Sequence, residues 1–177
     1  TAAIIKAAKG GVLFIDEAYT LLPVCNQGND YSAEAVAQLL KQMEDDRGDL
    51  IVILAGYNDD MQKFLDLNEG MRSRINKYMH FDNYTIQETM EIFLMTLRKE
   101  ALYITETALK KVMLLVKKCC LASGFSNGRF VRNLFEKLLE EHSYIVYKQS
   151  ITGRQADIIT EEAVSETMCK QLLDAQR

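Results

Sequence analysis

Two adjacent carboxylates stand directly after a short apolar run in the stretch "GGVLFIDEAY". Residues 12–15 are all apolar, and Asp16 and Glu17 follow them. A short continuous apolar run is typical of a buried strand in a parallel sheet, and open α/β sheets bind ligands beyond the carboxyl ends of their strands. An aspartate there could hold Mg²⁺, and a glutamate there could activate an attacking water. The alternative is a chance match, with the acids capping a helix after the strand.

A polar side chain also follows the second apolar run. Residues 50–55, "LIVILA", read as the next buried strand, and the chain continues through "GYND" to Asn58. Because parallel neighbouring strands end at the same sheet edge, we expect Asn58 beside Asp16 and Glu17, where it could place the water. The alternative is an ordinary turn asparagine before two aspartates.

Two pairs of arginines are candidate anion-binding groups. Arg72 and Arg74 lie in "NEGMRSRI", a predicted loop, and an arginine from a neighbouring subunit can neutralise charge that develops on a γ-phosphate. Arg129 and Arg132 lie in "SNGRFVRN" at a predicted helix start, where three-residue spacing puts both on one face near a natural anion site. The alternatives are a solvated basic patch for the first pair and surface ion pairs for the second.

The predicted elements that position these residues form two parts. Residues 1–82 contain a strand, an amphipathic helix and a second strand, which is the unit that makes a right-handed parallel crossover, and a weaker third strand at 78–81. Residues 83–177 are predicted to be all helical, starting with the capping box "TIQE" and ending with a helix capped by Thr160. The fold class is therefore α/β, followed by a helical domain.

Composition excludes some classes of protein and disfavours others. The formal net charge of -4 argues against non-specific nucleic-acid binding. No apolar run approaches the roughly 20 residues that span a bilayer, and no signal peptide opens the chain. The four cysteines include no CxxC pair, which indicates reduced thiols in the cytoplasm or another reducing intracellular compartment.

The motifs together resemble those of the AAA+ ATPases, and most closely the CbbX/SpoVK-like subfamily. The residues that carry the resemblance are "VLFIDEAY", "VILAGY", "GMRSRI", "HFDNYT" and "NGRFVRN", in the family's order. The resemblance implies a partial parallel three-layer P-loop NTPase core followed by a helical lid. It also implies ATP and Mg²⁺ as cofactors, self-association into a ring that we expect to be a hexamer, and remodelling of an unknown protein client.

The resemblance also implies a role for each candidate residue. Asp16 and Glu17 match the Walker B acids, which hold the metal and activate the water. Asn58 matches the sensor 1 position. Arg74 matches the arginine finger, with Arg72 as a weaker candidate. Arg129 matches the sensor 2 arginine, with Arg132 as a weaker candidate. Residues 24–30 match the second pore loop of the ring.

One family motif is missing from these 177 residues. They contain no GxxxxGK[ST] loop, the Walker A motif whose amides and lysine hold phosphates. We therefore expect the chain to begin within an AAA+ module and neither to bind nor to hydrolyse ATP by itself. Because the Walker A strand would lie beside the sensor 1 strand, we also expect a substitute strand, from another copy or through a rearranged sheet, to cover the open edge.

The sequence is also compatible with two alternative functions. The first is a non-catalytic AAA+-like scaffold or protein-interaction module that keeps the acids and arginines as remnants. The second is a nucleic-acid-handling AAA+ protein, which the acidic balance disfavours. A Walker A loop upstream would favour the ATPase over the scaffold.

Overall fold

The chain forms two compact units, Thr1–Phe81 and Asp82–Arg177. A computed structural model describes residues 2–22, 32–121 and 125–174. The described elements of the first unit are α1 (Ala2–Ala7), β1 (Val12–Ile15), a 3₁₀ turn (Ala18–Leu21), α2 (Ser32–Asp45), β2 (Ile51–Leu54), α3 (Asn58–Asp66) and α4 (Glu69–Arg74). Those of the second unit are α5 (Ile86–Lys99), β3 (Tyr103–Ile104), α6 (Glu106–Cys120), α7 (Gly128–Lys148), a 3₁₀ turn (Gly153–Asp157), β4 (Ile158–Ile159), a 3₁₀ turn (Glu161–Ala163) and α8 (Glu166–Asp174).

The first unit is built on the predicted parallel crossover. β1 and β2 pair in parallel, in a register that runs from Val12 opposite Ile51 to Ile15 opposite Leu54. α2 lies between them in sequence, as a parallel connection requires. The predicted α/β class, followed by a mostly helical part, is confirmed.

The described residues cover only one face of this two-stranded sheet. Leu13 is buried, and its same-face neighbours pack with it against helical residues that include Val36, Leu39 and Phe64. The opposite face, formed by Val12, Phe14, Ile51 and Ile53, is 45–61% exposed. Among the described residues, the predicted burial of these strands was therefore wrong for their second face. A continuous apolar run shows that both faces are apolar and not that both are covered.

The predicted third strand is absent. Residues 78–81 have no regular secondary structure, and Met79 and Phe81 are more than 80% exposed. A strand needs a neighbour to satisfy its backbone N–H and C=O groups. Among the described residues no strand lies beside 78–81, and apolar β-formers alone do not make one.

The open edges of β1 and β2 also bear on the predicted substitute pairing. Within the described residues β1 pairs only with β2, and the pair has the ordinary parallel register. The expected rearrangement of the sheet within one chain was therefore wrong. Pairing with a strand from another copy stays a prediction.

The second unit is a helical cluster around one core. Phe93, Phe130, Leu134 and Leu138 are fully buried in it. The predicted capping box is confirmed, because the Thr85 hydroxyl accepts from the amide of Glu88 while the Glu88 carboxylate accepts from the amide of Thr85.

Two details of this unit differ from the sequence prediction. Tyr103 and Ile104 pair in parallel with Ile158 and Ile159, a two-residue addition to an otherwise helical unit. The segment after Thr160 forms a 3₁₀ turn, Glu161–Ala163, and the last described helix begins only at Glu166. No side-chain hydrogen bond from Thr160 caps that turn.

No helix in the described part of the chain combines the length and the apolar composition needed to cross a bilayer.

Candidate functional site

The two predicted catalytic acids follow β1 at a tight change of direction. Asp16 and Glu17 are both exposed, and Glu17 adopts the left-handed conformation with φ 48°. Non-glycine residues rarely adopt this conformation, which costs of the order of 1–3 kcal/mol. An oxygen of the Asp16 carboxylate accepts a hydrogen bond from the Glu17 amide at 3.0 Å, which stabilises the turn. The apolar run is thus paired in the sheet while both carboxylates remain accessible to solvent.

Backbone hydrogen bonds hold this turn against the end of β2. The amide of Ala55 donates to the carbonyl of Ile15 at 2.9 Å, and the amide of Ala18 donates to the carbonyl of Ala55 at 3.0 Å. Asp16 and Glu17 lie between these two bonds in sequence. The structure therefore places both acids at the carboxyl edge of the β1–β2 pair.

Asn58 is the first residue of the helix that follows β2. Tyr57 precedes it in an extended conformation, and Asp59 and Asp60 lie in the first turn of α3, where negative charge interacts favourably with the helix dipole. The Asn58 side chain is exposed. It therefore stands four residues beyond Leu54, the last residue of β2, on the segment that leaves the same sheet edge as the acids.

Tyr19 and Gly56 lie close together at this edge. The ring centroids of Tyr19 and Tyr57 lie 6.3 Å apart, and a Cβ on Gly56 would come within 2.8 Å of the Tyr19 ring. Burial raises the pKa of Tyr19 above its ordinary value, and the negative charge of Glu17 raises it further. Sequence reasoning overlooked both residues, although the glycine directly after an apolar strand was a signal of close packing.

Arg72 and Arg74 lie on a helix, and the predicted loop is wrong. Residues Glu69–Arg74 form α4, with Glu69 in its first turn and both arginines in its last, an arrangement that suits the helix dipole. Arg72 pairs with Asp66 at 3.0 Å, and both side chains are about half exposed. Arg74 is more enclosed, at 28% exposure, and its Nε lies 3.3 Å from a carboxylate oxygen of Glu44.

Glu44 was not predicted to belong to this site. It lies on the last turn of α2, thirty residues before Arg74 in sequence, and no local motif joins the two. Only the packing of α4 against α2 brings them together.

Arg129 and Arg132 lie at the start of α7, in the second unit. Both are exposed, and the helix has no acidic residue in its first turn. The side chain of the capping residue, Asn127, does not cap the helix, since it accepts from the Tyr84 amide and donates to Asn83. The alternative of ion pairs with glutamates further along α7 gains no support from the described residues, where Glu140 pairs with Lys137.

The donors present suit Mg²⁺ better than a transition metal. Among the described residues no three His, Cys, Asp or Glu side chains form a metal-binding group. Asp16 offers an exposed hard oxygen donor, and Mg²⁺ is usually held by one or two carboxylates together with water and substrate phosphates. The predicted pore-loop residues 24–30 lie outside the described residues.

Two family models match the chain, and between them they account for almost all of it. Residues 1–83 match the ATPase family associated with various cellular activities (AAA), and residues 85–170 match the AAA lid domain.

Curated relatives agree with these matches. The chain is 38% identical to a CfxQ homolog of Galdieria sulphuraria over 164 residues, which are 92% of this chain and 53% of that protein. It is 40% identical to stage V sporulation protein K of Bacillus subtilis over 137 residues, which are 76% of this chain and 42% of that protein. It is 40% identical to the ESX-3 secretion system protein EccA3 of Mycobacterium tuberculosis over 157 residues, which are 81% of this chain and 25% of that protein. The chain spans about half the length of the CfxQ homologs that it matches. It belongs to the AAA+ ATPases and carries the CfxQ/SpoVK-like sequence from the Walker B acids to the helical lid.

Proposed function

We propose that this chain is part of an ATPase that hydrolyses ATP to act on a protein client. The observation that carries the proposal is the pair of exposed carboxylates, Asp16 and Glu17, at the carboxyl edge of the β1–β2 pair, within a match to the AAA family. Relatives described as a Rubisco activase and as a secretion system protein support a client that is itself a protein.

Each acid has a distinct task in this proposal. Asp16 holds Mg²⁺, and the bound ion would neutralise charge on the phosphates. Glu17 orients the attacking water and accepts its proton, a role that requires an accessible carboxylate within hydrogen-bond reach of the water. Asn58, on the segment that leaves the neighbouring strand, helps to fix the position of that water.

The two pairs of arginines have different tasks in this proposal. Arg74 reaches the γ-phosphate of ATP bound by the next subunit of a ring, which we propose to be a hexamer, and Arg72 is its weaker alternative. Arg129, with Arg132 beside it on the helix, binds the nucleotide from the lid, where the uncapped start of α7 also favours an anion. These 177 residues contain no Walker A loop, so ATP binding requires that motif from the rest of the protein.

Replacing Glu17 tests this proposal. In the full-length protein that carries this segment, Glu17→Gln should lower kcat for ATP hydrolysis by about 10²–10⁴-fold, because general-base catalysis contributes that much, with little change in KM. Glu100→Gln, at an exposed glutamate that follows α5, is the matched control and should leave both constants unchanged.

A second measurement separates the ATPase from the scaffold. The 177-residue chain alone should show no micromolar ATP binding by calorimetry, whereas the full-length protein should bind ATP. If the full-length protein neither binds nor hydrolyses ATP, the non-catalytic scaffold is the better account.

A further inference from the structure

Arg74 is held by two groups of its own chain. Its Nη1 donates to the carbonyl oxygen of Gly70 at 3.0 Å, one turn earlier on α4. Its Nε lies 3.3 Å from Oε2 of Glu44 on α2. This second contact is an ion pair without hydrogen-bond alignment, since the buried Nε has no acceptor among the described residues.

Close packing of the two helices sets the distance between these charges. A Cβ on Gly70 would lie 3.3 Å from a methyl carbon of Leu40, a contact tighter than most, so α4 packs closely on α2 at this point. The next residue, Met71, is completely buried and fixes α4 to the core of the first unit. Glu44 and Arg74 are therefore carried by two helices whose separation is determined by packing.

The other arginine of the helix has a different environment. Arg72 pairs with Asp66, but the two side chains are 54% and 53% exposed, and ion pairs of this kind contribute little. The side chain of Arg74 is 28% exposed, so part of it remains accessible, whereas its Nε is buried. The enclosure and the two contacts restrict the conformations that this long side chain can adopt.

We infer that Glu44 is a positioning residue that holds the guanidinium of Arg74 in one orientation for a phosphate of the neighbouring subunit. The inference rests on the proposed role of Arg74. A charge that is already oriented avoids reorganisation when the phosphate arrives, so catalysis gains from the restriction. Glu44 touches no reacting atom, and its effect passes through Arg74.

The test compares two carboxylates, each of which pairs with one arginine of α4. In the full-length assembled protein, Arg74→Ala should lower kcat for ATP hydrolysis by about 10³–10⁵-fold. Glu44→Gln keeps the size of the side chain and removes its charge, and it should lower kcat about tenfold with KM for ATP unchanged. Asp66→Asn removes the partner of Arg72 and is the matched control, with kcat expected to equal that of the wild type.

A conservative variant and a double variant distinguish positioning from general damage. Glu44→Asp should give a kcat between those of the wild type and Glu44→Gln. Glu44→Gln combined with Arg74→Ala should be no slower than Arg74→Ala alone, because the glutamate acts only through the arginine. If Glu44→Gln does not assemble, Glu44→Asp alone tests the inference. A reduced kcat at unchanged KM supports it, and a wild-type kcat overturns it.

The outcomes distinguish a failure of the proposed role of Arg74 from a failure of the inference about Glu44. If Arg74→Ala hydrolyses ATP like the wild type, the proposed role of Arg74 is wrong, and the inference is lost with it. If Arg74→Ala is inactive while Glu44→Gln keeps wild-type kcat, the role stands and Glu44 is not a positioning residue. A Glu44→Gln protein that loses kcat and also raises KM, like a protein with a damaged fold, likewise overturns the inference.

Discussion

Replacing Gly56 with alanine tests how closely the segment after β2 packs against Tyr19 and Met61. A Cβ at this position would lie 2.8 Å from Cδ1 of Tyr19 and 2.9 Å from both Cγ and Sδ of Met61. Non-bonded carbon atoms prefer a separation of about 3.5–4.0 Å, so these neighbours must move by roughly 0.6–1.2 Å to reach it. Gly56 does not adopt a positive φ, so the cost arises from overpacking and not from backbone strain. We expect Gly56→Ala to destabilise the first unit by about 1–3 kcal/mol.

The assay should report on the first unit alone, because the two units need not unfold together. Hydrogen exchange read by mass spectrometry on peptides from β1 and β2 meets this need. A loss of about 1–3 kcal/mol corresponds to exchange that is roughly 5- to 150-fold faster, since 1.4 kcal/mol is a factor of about ten. Gly11→Ala is the control, because its Cβ would meet only the Ala8 carbonyl oxygen, at an ordinary 3.4 Å. Equal exchange in wild type and Gly56→Ala would refute the packing argument.

Two further predictions concern the second unit. Phe93→Ala empties the site of a completely buried ring and should cost about 3–5 kcal/mol in urea unfolding, whereas Leu114→Ala, at a mostly exposed position, should cost far less. Hydrogen bonds from the backbone and hydroxyl of Thr85 lower the pKa of Glu88, so the stability it contributes is present above its ordinary pKa and is lost as pH falls through the lowered value. In Glu88→Gln the free energy of unfolding should therefore fall less steeply than in the wild type as the pH is lowered from 6 to 2. An equally steep fall in both proteins would contradict a contribution of the capping box to this pH dependence.

Local patterns in the sequence were sufficient wherever a few neighbouring residues determine the structure. The capping box at Thr85 and the apolar spacing of α2 and α5 concern contacts within one or two helical turns, and these elements formed as predicted. The parallel pairing of β1 and β2 followed from the intervening helix, because that connection restricts how the strands can meet.

Patterns failed where a distant partner decides the outcome. Residues 78–81 have the composition of a strand but lack a neighbouring strand, so they remain irregular and exposed. The segment around Arg74 contains a glycine and suggested a loop, yet burial of Met71 and close packing of Gly70 on Leu40 make it a helix. Local preference was therefore not decisive in either place. The lack of a neighbouring strand left residues 78–81 irregular, and packing contacts stabilise the helix around Arg74.

The sequence by itself determined the chemical groups at the candidate site and their order along the chain. The sequence alone identifies the adjacent carboxylates after an apolar run and the arginines at two places, because these features depend only on residue type and spacing. Only the tertiary structure decided the left-handed turn at Glu17, the close packing at Gly56 and the pairing of Arg74 with Glu44. The reason is physical: each depends on where two segments distant in sequence approach each other, and packing of the whole unit sets that distance.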